Sequence, residues 1–417
     1  MGHILKQVLL IGSGNNSVQT ELGNNYKYDF DIDELAGTMS FTLPYIKFNS
    51  DADLTKFKKY DTVKLYAGLF DVDPGEIIVD GIQVYISGLK LEFDGYIDTI
   101  SLSKNKDDFP YEFNCISTAG LLNERNLIRK TTTTEPIKTK VNTILQLSGL
   151  QSGQIAIESE ITAINIFPDT KIRKLCTDID NLLVSSVGGK QAGEELKSIC
   201  KKIAVKVFQS GDGYLNILTL SFMNTRPNSL GFYSWEFRYG DNIYSINYND
   251  LTKSINSVVC LGIPPMVGYA VDPIAVQLTA GVGVTPGPQH YNYLTIECRD
   301  ENNIETLQKI ARNKLLDIMK NYNVEISVPF NVEYMCGQPI TIYDNDKYPN
   351  GQIFFIKHIS KTISKENVEC ILTCFANSIS VLPENLVIDS TGITDIDMLG
   401  TDVINDMNDA TGWNYIT

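Results

Sequence analysis

Met39-Ser40-Phe41-Thr42-Leu43 alternates apolar and polar positions with a period of two, the spacing of a strand with one buried face. Thr62-Val63-Lys64-Leu65-Tyr66-Ala67 does the same, and the apolar run ending at Ile11 reads as a first strand. Ile77-Ile78-Val79 followed by Gln83-Val84-Tyr85-Ile86 predicts a hairpin-like excursion. Residues 1–120 therefore read as β structure.

Part of this pattern recurs. Gly95-Tyr96-Ile97-Asp98-Thr99-Ile100-Ser101, a charged turn, then Tyr111-Glu112-Phe113-Asn114-Cys115 is matched by Phe354-Phe355-Ile356-Lys357-His358-Ile359-Ser360, a charged turn, then Cys370-Ile371-Leu372-Thr373-Cys374. Ser101 precedes Cys115 by 14 positions, and Ser360 precedes Cys374 by 14. Asp61–Tyr66 stands before the first copy as Gln338–Tyr343 stands before the second. Tyr66 to Tyr96 spans 30 residues and Tyr343 to Phe355 only 12, so the first copy carries 18 extra residues, read as an arm toward a neighbour. A small β-unit held twice can present two equivalent surfaces.

Between the copies the period changes to that of helices. Ile137, Val141, Ile144 and Leu145 share a stripe that begins at Pro136 and stops before Gly149. A second helix is predicted over 193–204, with Leu196, Ile199, Cys200 and Ile203 on one side. It runs into a strand, Val205–Phe208, an Asp212-Gly213 turn and a strand, Tyr214–Leu218, which is a hairpin signal. Five of the fifteen prolines, Pro264, Pro265, Pro273, Pro286 and Pro288, mark 263–291 as a long loop or extended arm. A helix over 305–322 then leads into the second β-unit.

The fold class is α+β and β-rich. The expected domains are a first β-unit at 1–120, an α+β insert at 121–240 and a β-rich connection with a Pro/Gly arm at 241–304. A helix plus the second β-unit follow at 305–382, then an acidic tail at 383–417. The tail holds seven carboxylates and no Lys or Arg, with Trp413 and Tyr415 near its end and aliphatics between. That mixture suits a segment that orders on a partner.

A chain of 417 residues exceeds one ordinary core. The net charge of −15 argues against gripping nucleic acid, which requires clustered Lys and Arg. It is compatible with a surface past which DNA slides. The eight cysteines occur singly, with no zinc-type spacing; Cys370 and Cys374 read as two buried thiols on one face of a strand, which fits synthesis in a reducing cytoplasm. No apolar run is long enough for a membrane helix, so no membrane anchor is expected.

Enzymatic constellations do not emerge. Glu194-Glu195 sits at a helix start, where acidic charge complements the helix dipole. Asp178 and Asp180 lie beside a turn or helix start. Of the three histidines, His3 is terminal, His290 lies in the Pro/Gly arm, and His358 occupies a strand position suited to a structural imidazole. Ile11-Gly12-Ser13-Gly14-Asn15-Asn16 has neither the third glycine of a dinucleotide fingerprint nor the Gly-Lys-Ser/Thr of a phosphate loop, and reads as a turn. No catalytic, cofactor-binding or metal-ligating residue is assigned.

Several runs together resemble the baseplate central hub proteins of contractile phage tails and related contractile injection systems. Phe93-Asp94-Gly95-Tyr96-Ile97-Asp98-Thr99-Ile100 with Glu112–Leu122 is similar to one hub run, and Asn247–Asp250 with Ile255–Gly262 to another. Helix 305–322, then Val328-Pro329, Gly337-Gln338-Pro339-Ile340 and Phe354–Ser360, resembles the family's C-terminal signature. The resemblance reaches to about residue 380 and rests on the order of the runs and their duplication.

That resemblance implies two tail-tube-like β-barrel units in a homotrimer, forming a pseudo-hexameric ring. Such a hub adapts a six-subunit tail tube to a trimeric spike, contacts other baseplate proteins and lets DNA or a tape-measure protein pass. It would be assembled in the bacterial cytoplasm and reside in the virion baseplate or injection particle. Candidate tube-facing residues are Lys104, Asn105, Lys106 and Asp107, with Lys361, Lys365 and Glu366 in the second copy. Residues 74–92 and the arm with Pro264 and Pro265 are candidates for clasping neighbours, and Trp413 and Tyr415 for docking on spike or baseplate. The alternatives are a tail-tip protein of a non-contractile tail and a secreted carbohydrate-binding or adhesin β-protein.

Overall fold

The alternating segments form strands that pair largely antiparallel. In the first unit β1 (Ile4–Ile11) pairs with β2 (Val18–Thr20) on one edge and β5 (Thr62–Phe70) on the other. β3 (Asn25–Asp31) pairs with β4 (Thr38–Leu43). The extra residues include a separate hairpin of β6 (Val79–Asp80) and β7 (Gln83–Val84). β8 (Lys90–Leu102) then lies between β5 and β9 (Tyr111–Ser117), and β9 in turn pairs with β4. The computed structural model describes residues 4–12, 18–20, 25–43, 57–71, 79–80, 83–84, 88–102, 111–124, 135–136, 139–141, 144, 151–152, 164–165, 171–174, 183–184, 191–202, 205–219, 235–249, 255, 257–271, 293–298, 301–319, 323–364 and 368–376.

After β9 the chain makes a helical turn, α1 (Leu121–Glu124). Short strands follow: β10 (Glu135–Pro136) paired with β14 (Leu183–Val184), and β11 (Gln151–Ser152) with β12 (Ile164–Asn165). Pro136 thus lies in a strand rather than opening a helix; Thr139 is the first helical residue described after it. β13 (Lys171–Lys174) runs parallel to β16 (Tyr214–Thr219), which pairs antiparallel with β15 (Val205–Gln209). The amphipathic α2 (Ala192–Lys202) feeds β15, and Gly213 turns the β15–β16 hairpin at φ +84°. Buried Gln209 ties β15 to the first unit: its Oε1 accepts from the Ala119 N–H at 2.6 Å, and its backbone N–H donates to Leu35 O at 3.0 Å.

The second unit repeats the first. β17 (Trp235–Arg238) pairs in parallel with β23 (Pro339–Asp344), so the second unit's sheet begins within the stretch 121–240. β18 (Ser245–Asn249) pairs with β22 (Asn323–Val328), β22 with β25 (Val368–Ala376), and β25 with the long β24 (Tyr348–Ser364), which also pairs with β23. The strand order β5-β8-β9-β4-β3 therefore recurs as β23-β24-β25-β22-β18. Both copies share the same bulge: β8–β9 shifts register between Ile97 and Thr99, and β24–β25 shifts between Ile356 and His358. Each of these residues stands 259 positions from its counterpart, the offset of Ser101 and Ser360.

Between β18 and β22 lies a smaller layer. β19 (Ser257–Leu261) pairs with β20 (Val267–Val271) and runs parallel to β21 (Tyr293–Glu297). α3 (Ile304–Met319) covers it and is capped by Asn303, whose Oδ1 accepts from the Glu305 N–H at 2.9 Å. Gly268 lets α3 approach, because a Cβ there would meet the Leu307 carbonyl carbon at 2.2 Å. One expectation changes here: the stretch 263–291 is not wholly an arm, because Val267–Val271 is a buried strand. The helix expected over 305–322 is described from Ile304 to Met319, and its last three positions lie outside the described residues.

Among the described residues the two units do not form separate sheets. β24 pairs antiparallel with β3 from His358↔Asp31 to Ser364↔Asn25, giving one thirteen-stranded sheet. The apolar faces enclose a continuous core, from Leu9 and Phe41 through Ile359 to Phe354 and Leu372.

Candidate functional site

The feature that carries consequence is the junction between the two units. β24 is long enough to serve two neighbours on one edge. Its first half pairs with β23, and its second half, past the bulge, takes β3. Ile32 N–H donates to Lys357 O at 3.0 Å, extending the seam through the bulge.

The inward face of the seam contains charge. Ile359, Lys361 and Ile363 alternate toward the core, so Lys361 enters an apolar layer. Its Nζ lies 2.7 Å from Glu92 Oε2, and Tyr28 Oη donates to the same carboxylate oxygen. The ammonium is 5.3 Å from the ring centroids of both Tyr28 and Phe330. Burial raises the Glu92 carboxyl above its usual range, partly opposed by Lys361. Burial, with Glu92 adding to it, pushes the Tyr28 phenol well up. The placement of Lys361 on a tube-facing loop is thereby overturned: it is 1% exposed and belongs to the unit–unit seam. Its signal was present in the alternation of Ile359 and Ile363, which puts position 361 on the inner side.

The outward face is polar and crosses the seam in rows set by register. One row runs Asn114, Ser40, Lys27, Thr362, Glu369; another runs Thr38, Asp29, Ser360, Ile371, Ser327. Asp29 accepts from His358 and Ser360 and sits 3.3 Å from Lys27. Burial tends to raise its carboxyl, but these contacts outweigh it and hold the group below its ordinary value. His358 Nε2 is 3.5 Å from Asp29 Oδ1, a structural role consistent with its strand position.

A second charged contact joins three segments. Lys206 on β15 is bonded to Asp317 on α3 and lies 2.7 Å from Asp33 after β3. Burial works against its charge, yet the two carboxylates prevail and raise the ammonium above its usual range. Cys370 and Cys374 are buried thiols, as expected; burial pushes Cys370 up to about 12. Among the described residues no group of three or more His, Cys, Asp or Glu could hold a metal, and no helix is long and apolar enough to cross a membrane. Glu194 and Glu195 occupy the first turn of α2.

Pro264 and Pro265 are exposed in the turn between β19 and β20. Lys104, Asn105, Lys106, Asp107, Lys365, Glu366, Trp413 and Tyr415 lie outside the described residues. Reading the sequence missed Tyr60. It has φ +75°, whereas its repeat counterpart is Gly337 at φ +86°. Tyr60 N–H donates to Ile97 O as Gly337 N–H donates to Ile356 O, both at 2.8 Å.

No family model and no curated protein sequence matches the chain. Solved structures do. The tail protein from Neisseria meningitidis MC58 aligns over 89% of this chain and 97% of its own, with a TM-score of 0.58 and 12% identity. The 43 kDa tail protein of prophage MuSo2 from Shewanella oneidensis aligns over 89% and 98%, with a TM-score of 0.56 and 11% identity. The chain therefore has a β-rich fold found in phage tail proteins, over nearly their whole length.

Proposed function

We propose that this chain is a structural, non-enzymatic hub of a phage-type tail or contractile injection particle. Three copies would form a ring of six β-units between a sixfold tail tube and a threefold spike. The observation that carries the reading is the internal repeat: the same five-strand order, with the same bulge, occurs twice and is joined edge to edge. A heterologous junction that repeats around an axis generates a ring when the rotation closes. The fold shared with two tail proteins over nearly their full length supports the same reading.

In such a ring the polar face of the sheet would line the channel. That face is dominated by neutral Ser, Thr and Asn, among them Thr38, Ser40, Asn114, Ser360, Thr362 and Thr373. Along the rows that cross the seam, Asp29, Glu112, Glu325 and Glu369 stand beside the cation Lys27. Hydroxyl and amide groups with a slight excess of acid offer a passing polyanion no cationic ladder to grip. DNA or an extended tape-measure protein is the cargo this surface suits.

The test is the mass of the purified chain by light scattering over a concentration series, alone and with candidate tube and spike proteins. A species of three times 46.5 kDa in any of these mixtures is expected. A monomer in all of them would end the ring reading.

A further inference from the structure

We infer that β18 of one copy adds to the outer edge of β8, past its bulge, on a second copy of this chain, in the register that β3 adopts on β24. This rests on the ring reading and specifies its copy-to-copy seam.

Both partners are edges among the described residues. β18 ends the thirteen-stranded sheet. On β8, pairing with β5 stops at Thr62↔Tyr96, and Ile97 is bonded to the backbone of Tyr60 and Asp61; Thr99–Leu102 then has β9 on one side only. The repeat identifies these two edges as counterparts of the internal seam. β18 stands to β22 as β3 stands to β4, and the second half of β8 stands to β9 as that of β24 stands to β25.

Burial singles out the same two edges. Ile359, under β3, is 2% exposed, whereas its counterpart Ile100 is 37% exposed. Tyr26 and Tyr28, against β24, are 3% and 1% exposed; their counterparts on β18, Ile246 and Tyr248, are only half-buried, and Tyr244 just before them is 67% exposed. Tyr60, exposed and held at positive φ, is bonded to Ile97 at the mouth of the open edge, and such strain concentrates at functional contacts. A bare strand edge is an aggregation hazard that closure of a ring removes.

The register follows from the repeat. The internal pairs are Ser360↔Asp29 and Lys361↔Tyr28. Shifting the β24 member back by 259 positions and the β3 member forward by 220, the offset of Tyr28 and Tyr248, puts Ser101 opposite Asn249 and Leu102 opposite Tyr248 of the second copy. The seams differ in one way that prevents confusion between them. The counterparts of Lys361 and Glu92 are Leu102 and Gly351, so the copy-to-copy seam lacks the buried ion pair.

The experiment is disulfide trapping with Ser101→Cys and Asn249→Cys under mild oxidation, read on non-reducing gels beside light scattering, with the unsubstituted chain as background. Ser360→Cys with Asp29→Cys, the equivalent pair inside one chain, reports whether this geometry permits a bridge. The double variant S101C/N249C is expected to give a ladder of two and three linked chains. A mixture of the two single variants should stop at linked pairs, and each single variant alone should give none. Self-linking of either single variant would mean a two-fold contact and overturn the proposal. A trimer by mass that forms no 101–249 bridge, while the internal control does, would overturn this seam and leave the ring reading standing. A chain that is monomeric alone and with tube and spike proteins, and forms no bridge, would remove both.

Discussion

Lys361 Nζ and Glu92 Oε2 lie 2.7 Å apart with their side chains almost wholly buried, one contributed by the second β-unit and the other by the first. A buried pair of this kind adds little net stability relative to a well-packed apolar pair, because desolvation offsets the Coulomb gain. Removing one member is different, since it strands a charge. Lys361→Met is therefore expected to cost about 3–5 kcal/mol near neutral pH. The double variant Lys361→Leu with Glu92→Met, which makes the internal seam apolar, should recover most of that loss. Urea unfolding of the three proteins measures it.

The Lys361→Met penalty should also depend on pH in a definite direction. The folded-state carboxyl of Glu92 is raised, so the native state holds its proton more tightly than the unfolded chain does. Stability contributed by such a group is present at low pH and lost as pH rises through the folded value. Without Lys361 the rise is larger and the loss continues to higher pH. The gap between variant and parent should narrow as pH falls toward 4 and widen toward 7, in unfolding midpoints measured across that range.

Lys206 has a raised folded-state value, caused by Asp317 and Asp33 against the opposing effect of burial. Its contribution is fully present below about 10.4, the ordinary lysine value, and fades as pH rises through the folded value. Lys206→Met should lower stability by about 2 kcal/mol at neutral pH, as expected for a mostly buried pair losing one partner. The deficit should shrink above pH 11, which paired thermal melts would reveal.

Gly268 sits directly beneath the α3 backbone, with the Gln308 nitrogen 2.5 Å from where a Cβ would stand. Backbone cannot swing aside as a side chain can. Gly268→Ala is expected to cost about 1–3 kcal/mol or more through overpacking, and to raise hydrogen exchange in β20 and α3. Exchange unchanged in both elements would show that the helix shifts freely.

Cysteine labelling should be selective. Cys115, Cys200, Cys336, Cys370 and Cys374 are buried, and burial raises each thiol, Cys200 to about 12. Thiolate is the reactive form. Half-exposed Cys298 is expected to react with a thiol reagent in the native protein before any of these five. Peptide mass mapping at short times would read the order.

Much of the repeat was legible from the chain alone. Period-two alternation located β4, β5 and the paired copies, because an antiparallel strand with one wet face must alternate. The 14-residue spacing of Ser101 to Cys115 and of Ser360 to Cys374 became two hairpins with identical bulges. Asp212-Gly213 marked its turn, since few residues other than glycine accept the backbone angle found there. Proline content misled at 263–291: the turn at Pro264-Pro265 is followed at once by a buried strand, and prolines mark turns without saying how far a loop extends.

Local sequence determined which residues form strands, which face of each is apolar, and that one β-unit occurs twice. Tertiary structure alone decided that β3, still paired with β4, also meets β24, that Glu92 answers Lys361 across 269 positions, and that β18 and the end of β8 are among the edges left open in the described strands. The physical reason is that alternation reports burial within a strand, whereas strand-to-strand pairing is a choice among many compatible edges. That choice depends on which distant surfaces are brought within hydrogen-bonding reach, and no short window of sequence contains that information.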